Sequence, residues 1–398
     1  MFVIVCVLLP RYSLAVAAGG REMLAAGPVA LAPEAGREQF IGEVSAAAEA
    51  YGLRPGLRLG EALARCPTLR LVAPDPAGVA DAWDAQVAAL ENIGAAVEAG
   101  PPGTAWFGAG GLRTLHGGTL EGVLAATRRA ATGAVRLGAA PSRFAAFAAA
   151  GRARARQPEI TPMAAAALAA YLAPLPVSLL LARPEVAMLP EALERFGIRT
   201  LGELARLPRA ALADRFGPPG PLARDLAQGR DTPLVARTAA ERLEERLELP
   251  ESAAGVQLQR GLELLVDRLL ARRERRGRTL RAVVLSAALV EGGTWRARVT
   301  FREPLSDARR MRLVLGQKLA ELPAPTDVLR LRAEGFGPPA GDQRSLLAEP
   351  AVIRRARLRE AVRQARSVAG PEAALRIIPV DPDSRVPERR LALAPWDP

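Results

Sequence analysis

Between Trp295 and Arg302 the chain alternates. Trp295, Ala297, Val299 and Phe301 are apolar, while Arg296, Arg298, Thr300 and Arg302 between them are polar or cationic. A period of two is that of a half-buried strand, with one face in a core and the other carrying arginines. Thr279 to Val290 is a second strand-forming run, and Glu291-Gly292-Gly293 supplies the positive φ of a tight hairpin between them. Leu258, Leu262, Leu265 and Leu269 upstream, and Met311, Leu315 and Leu319 downstream, recur at helical spacing. With a leading strand at Leu243–Leu249 and a closing one at Asp327–Ala333, the order is strand, helix, strand, strand, helix, strand. That order predicts a four-stranded sheet backed by two helices, its open face carrying the arginines.

Elsewhere the patterns are shorter. Phe2 to Leu9 is a continuous apolar run without a basic start or a small-residue cleavage site. It is far shorter than the roughly 20 residues of a spanning helix, so a buried first strand is expected. Residues 189–229 read as short helices joined by glycine-containing hairpins around Gly197 and Gly217, with a capping-box spacing at Thr200 and Glu203. Helix-hairpin-helix pairs of this kind can offer backbone N–H groups to a phosphate, although Pro218, Pro219 and Pro221 remove three donors. Plain helical packing with glycine turns gives a similar string.

Composition narrows the chemistry. The 398 residues are 49% apolar and 24% charged, enough for several cores and against wholesale disorder. A single histidine, His116, and two cysteines, Cys6 and Cys66, cannot build a His/Cys zinc site or a disulfide framework, so a reduced, cytoplasmic setting is expected. Residues 1–150 hold twelve charges of each sign, so the whole excess of +12 lies beyond residue 150. Residues 268–318 carry fourteen basic side chains against Glu274, Glu291, Glu303 and Asp307. Apart from Lys318 the cations are all arginine, the side chain suited to bidentate phosphate contacts. A solvated face or an acidic protein partner accounts for the same block.

The most specific string is Tyr51 to Pro67, YGLRPGLRLGEALARCP. It resembles the fingers of Y-family (translesion) DNA polymerases. Phe107 to Gly118 is similar to that family's palm turn, Val135 to Ala150 to the strand and helix that follow, and Phe196 to Gly229 to its thumb. The strand and helix order of residues 241–334 is similar to its little finger. The resemblance implies an α+β right-hand architecture: palm at 1–20 and 76–165, fingers at 21–75, a helix-hairpin-helix thumb at 166–236 and a little finger at 237–335. Residues 336–398 would form a linker, a clamp-binding peptide and a partner-binding tail. Within the family the chain looks like the ImuB-type branch of bacterial mutasome proteins.

By resemblance, family polymerases hold two magnesium ions with carboxylates from the first strand and from an Asp-Glu pair before the palm turn. Matching those motifs puts Leu8 at the first-strand position, with Pro10 near the second, and Gly103 and Thr104 at the pair. No acid occurs in residues 1–21 or 99–118, so a small register slip restores nothing. No metal site, cofactor or catalytic residue is therefore expected, and magnesium enters only if the chain is an active polymerase. Takeover by Glu98 or Glu121 is the alternative. His116 is expected to be structural, Cys6 a core residue and Cys66 a helix end.

Gly335 to Gly341 reads as a linker. Gln343-Arg344-Ser345-Leu346-Leu347 behind it is similar to the peptide by which bacterial polymerases dock on the sliding clamp, with Gln343, Leu346 and Leu347 as contacts. The resemblance further implies a RecA-like ImuA-type protein and an error-prone C-family polymerase as partners of the tail, a nucleoid-associated location and no membrane. The expected role is a non-catalytic adaptor that grips primer-template DNA through Arg296, Arg298, Arg302 and the backbone at Gly197 and Gly217. An active translesion polymerase and a protein-interaction scaffold with little DNA contact are the alternatives.

Overall fold

The computed structural model describes residues 3–34, 36, 39–154, 156–238, 243–290, 292–339 and 350–396. They form two compact units, Met1–Gly337 and Pro338–Pro398. The class is α+β, as expected.

In the larger unit the apolar run near the N-terminus becomes β1 (Ile4–Leu8). β2 (Val29–Leu31) and β3 (Arg70–Val72) follow as a small parallel pair around which Ile41, Leu53, Ala62 and Cys66 pack. β4 (Val97–Ala99), β5 (Thr104–Gly108), β6 (Arg136–Ala140) and β7 (Glu159–Ile160) join β1 in a five-stranded sheet ordered β4-β5-β1-β6-β7. Only β6 and β7 run parallel.

β1 is central, which explains its unbroken apolar sequence. Ile4 and Cys6 enter one core and Val5 and Val7 another. Burial raises the Cys6 thiol far above its ordinary range, so it is an inert core residue. Helices Pro76–Asn92 and Leu120–Ala130 cover the Val5 face. The alanine-rich helix Arg143–Arg152 covers the other, backbone against backbone, because a side chain at Gly138 would overlap Ala146 and Ala150.

That second core continues into five short helices, Ala165–Leu172, Leu189–Arg195, Leu201–Arg206, Arg209–Phe216 and Pro219–Ala227. The segment that leaves them is tied back to the helix Arg143–Arg152 by Asp231, whose carboxylate is almost wholly buried. It accepts from Arg183 at 2.8 and 2.7 Å, from Arg143 at 3.4 Å and from the Phe144 N–H at 2.9 Å.

β8 (Glu244–Ala253), β9 (Arg278–Leu289), β10 (Thr294–Leu305) and β11 (Thr326–Pro339) form the four-stranded sheet, ordered β10-β9-β11-β8. Helices Val256–Ala271 and Ala308–Leu319 back it, and their predicted leucines and Met311 are buried. The hairpin turns at Gly292 and Gly293, with φ of +95° and +87°. One expectation is corrected. β11 does not stop at Ala333 but runs through Gly335 to Pro339, where a linker was predicted. A side chain at Gly337 would come within 2.5 Å of Pro304, so this glycine permits close packing of strands and is not a breaker.

The smaller unit holds helix Pro350–Ala369 and a hairpin of β12 (Leu375–Pro379) and β13 (Leu391–Pro395).

Candidate nucleic-acid interface and cleft

The three positions matched to metal-binding carboxylates come together. Leu8, the last residue of β1, stands opposite Thr104 on β5 and Arg136 on β6. The Leu9 N–H donates to the Gly103 carbonyl at 2.8 Å. Leu8 and Thr104 are half-buried, but Gly103 leaves no room at all. Its φ is +92°, and a Cβ there would lie 2.8 Å from both the Leu9 carbonyl oxygen and Tyr12 Cβ.

A cavity of about 880 Å³ opens beside them. Leu9, Pro10, Arg11 and Tyr12 form one wall, Arg136 another, and Arg246 and Arg330 of the four-stranded sheet a third. Tyr12 packs edge-on against Trp83, 5.4 Å between ring centroids, and burial pushes its phenol up to about 12, so it stays neutral at physiological pH. The acids on the lining are Asp81 and Glu244. Asp81 already faces Arg296 at 3.6 Å and Arg332 at 3.9 Å.

Among the described residues no three His, Cys, Asp or Glu side chains form a group able to hold a metal ion. Hard divalent cations need several oxygen ligands, and this donor set does not fit a magnesium pair. Glu98 does not take over. It pairs with Arg143 and accepts from the Val235 N–H at 2.6 Å, away from the cavity lining. Glu121 sits in the first turn of the Leu120–Ala130 helix. His116 bonds through Nε2 to the Ile93 carbonyl, a structural role.

On the open face of the four-stranded sheet the predicted alternation holds. Val299 and Phe301 are buried, and Arg298, Thr300 and Arg302 are exposed. The face is not bare, however. Arg298 pairs with Glu334 on β11, and Arg296 reaches Glu334 at 3.9 Å as well as Asp81. Helix Pro76–Asn92 lies against it: Thr294 Oγ1 donates to Asp75 at 2.9 Å, and Arg332 pairs with Asp84 at 2.9 Å. A side chain at Gly78 would come within 2.6 Å of Thr294 Oγ1. Sequence reasoning found the arginines but not Asp81, Asp84 or Arg332. The spacing of Asp81, Asp84 and Glu91 along one helix was the signal available.

The hairpin glycines require a correction. Gly197 and Gly217 adopt positive φ as turn residues, but their N–H groups are engaged, with Glu194 and Ala213 carbonyls respectively. The capping box at Thr200 and Glu203 is complete. It consumes the donors, because the Arg199 and Thr200 N–H groups both bond to the Glu203 carboxylate. Leu201 and Gly202 donate to Leu175 and Ala173. Neither glycine offers a free N–H to a phosphate. Gln343, Leu346 and Leu347 lie outside the described residues.

Residues 9–170 match the model of the impB/mucB/samB family. The chain is similar in structure to DinB from Sulfolobus solfataricus, at 15% identity and a TM-score of 0.48, over 84% of this chain and 99% of that one. A structure titled as an insertion ternary complex of Dbh DNA polymerase is similar at 14% identity and a TM-score of 0.47, with the same shares covered. The comparison with curated proteins finds no match. Among the described residues no helix is long and apolar enough to cross a membrane.

Proposed function

We propose that this protein is a non-catalytic, Y-family polymerase-like adaptor of translesion synthesis. It binds primer-template DNA without sequence preference, docks on the sliding clamp through Gln343, Leu346 and Leu347, and passes synthesis to an error-prone partner polymerase. An ImuB-like place beside a RecA-like ImuA-type protein and a C-family polymerase belongs to the same reading. The observation that carries it is the juxtaposition of Leu8, Gly103 and Thr104 at the ends of β1 and β5. Phosphoryl transfer depends on fixed cations at the reacting phosphates, and no carboxylate stands there to fix them.

Primer extension with magnesium on the purified chain tests the catalytic half, and robust incorporation would end the adaptor reading. DNA retention tests the other half. Arg296→Glu, Arg298→Glu and Arg302→Glu together should weaken binding, and the wild-type affinity should fall by about 0.9 decades per decade of salt for each phosphate neutralised. Capture on the clamp should drop with Gln343→Ala and Leu346→Ala, and unaltered capture would discard that peptide. The pairing of Arg296 with Asp81 and of Arg298 with Glu334 favours the second reading, a scaffold that barely touches DNA. Under it the triple reversal leaves DNA retention unchanged.

A further inference from the structure

Helix Pro76–Asn92 presents a row of acids toward the four-stranded sheet and the segment leading into it. Asp75 accepts from Thr294. Asp81 faces Arg296 and Arg332, and Asp84 faces Arg332 and, at 3.9 Å, Arg237. Glu91 takes a bidentate pair from Arg237 at 2.7 and 3.0 Å. From Asp75 to Glu91 the row spans roughly 24 Å at 1.5 Å per residue. Anionic groups thus line up in front of cations that stand on, or lead into, the sheet proposed to lie along a phosphate backbone.

We propose that this row is an intramolecular competitor for DNA: the helix clasps the arginine face in the DNA-free protein, and a nucleic-acid backbone must displace it. This rests on the DNA-binding reading above and adds its regulation. Asp81 and Arg332 are mostly buried in the contact, with side-chain exposures of 9% and 13%, so their pairing is screened less than a surface pair. An arginine held by a carboxylate is unavailable to a phosphate, and both anions use the same bidentate fork. The apparent affinity of the clasped protein is lowered by the fraction of molecules that are open. The face is cationic enough to hold DNA once opened, because Arg296 and Arg332 are then released from Asp81 and Asp84 and join Arg302, which is exposed at its outer edge.

The test compares binding of a labelled primer-template duplex to the wild type, Asp84→Asn and Asp81→Asn/Asp84→Asn at about 0.1 M salt, where charges are screened over about 10 Å. Affinity should rise about threefold for the single variant and about tenfold for the double, as expected for the loss of one and two competing pairs. Asp84 is the partly exposed member, so the single variant keeps the fold if the double does not. Labels at Glu121→Cys and Glu263→Cys, with both native cysteines buried, should move apart when DNA is added to the otherwise unaltered chain. Folded variants that bind no more tightly than wild type, or labels that keep their separation while DNA binds, overturn the clasp and leave the DNA-binding reading intact. A wild type and variants that all fail to bind DNA remove both.

Discussion

A side chain at position 103, buried where β1 and β5 meet, should be strongly damaging. The perturbation is Gly103→Ala, with Gly103→Asp beside it. At φ +92° any L residue carries a cost of about 1–2 kcal/mol. The new Cβ also meets the Leu9 carbonyl oxygen and Tyr12 Cβ at 2.8 Å, and neither is the free end of a flexible chain. Relieving that overlap costs about 1–3 kcal/mol, by analogy with overpacked cores. If the strand end moves instead, the Leu9 N–H to Gly103 carbonyl bond is lost, worth about 1 kcal/mol. Together the loss is about 2–5 kcal/mol for alanine, and no smaller for aspartate. Denaturant unfolding followed by the fluorescence of Trp83 and Trp106 measures it, since both pack against this sheet. The functional corollary is that Leu8→Asp with Thr104→Glu yields no primer extension, because the neighbouring position cannot take an acid without moving the backbone. A Gly103→Ala protein within about 0.5 kcal/mol of wild type would refute the steric argument.

Three further outcomes follow from the same geometry. Asp231→Ala removes the main partner of the buried Arg183, leaving it only the more exposed Glu185, and loosens the segment that follows the five short helices, so a loss of about 3 kcal/mol is expected, and a loss under about 1 kcal/mol on denaturation would show the network to be dispensable. The Glu203 carboxyl sits below its ordinary value because it accepts from the Arg199 and Thr200 N–H groups. Its capping contribution is therefore present above about pH 4.3 and is lost as pH falls through the lower folded-state value. The acid-induced weakening of the short-helix region should then shrink in Glu203→Gln, and an identical pH profile would exclude this cap as its source. Finally, chelating divalent cations should leave DNA affinity unchanged, and a marked drop would point to a metal-mediated contact.

What was legible in the chain depended on the range of the interaction. The four-stranded sheet and its helices could be read because each strand or helix declares its buried face by its own period, as Val299 and Phe301 or Leu262 and Leu265 do. The lack of carboxylates around the ends of β1 and β5 was legible because an absence of acids over residues 1–21 and 99–118 needs no geometry. Strand ends were less so. Gly335 and Gly337 look like breakers, yet both lie within β11, and Gly337 packs closely beside Thr279 and Pro304. The capping box was visible in Thr200 and Glu203, but not that the glutamate would also claim the Arg199 N–H and leave the hairpin without donors. Least legible was the cover over the arginine face. Arg332 and Asp84 are 248 residues apart, and no local pattern links them.

The scarcity of acids and the number of arginines in the cleft bear on each other. A site that uses two divalent cations begins strongly anionic and becomes attractive to phosphates only when the metals bind. Here Arg11, Arg136, Arg246 and Arg330 line the cavity against Asp81 and Glu244, so the cleft is cationic from its own side chains. Such a surface attracts a phosphate backbone by counterion release, with no metal needed. The acids near the arginines, Asp81 and Asp84, are placed to govern when the face is open.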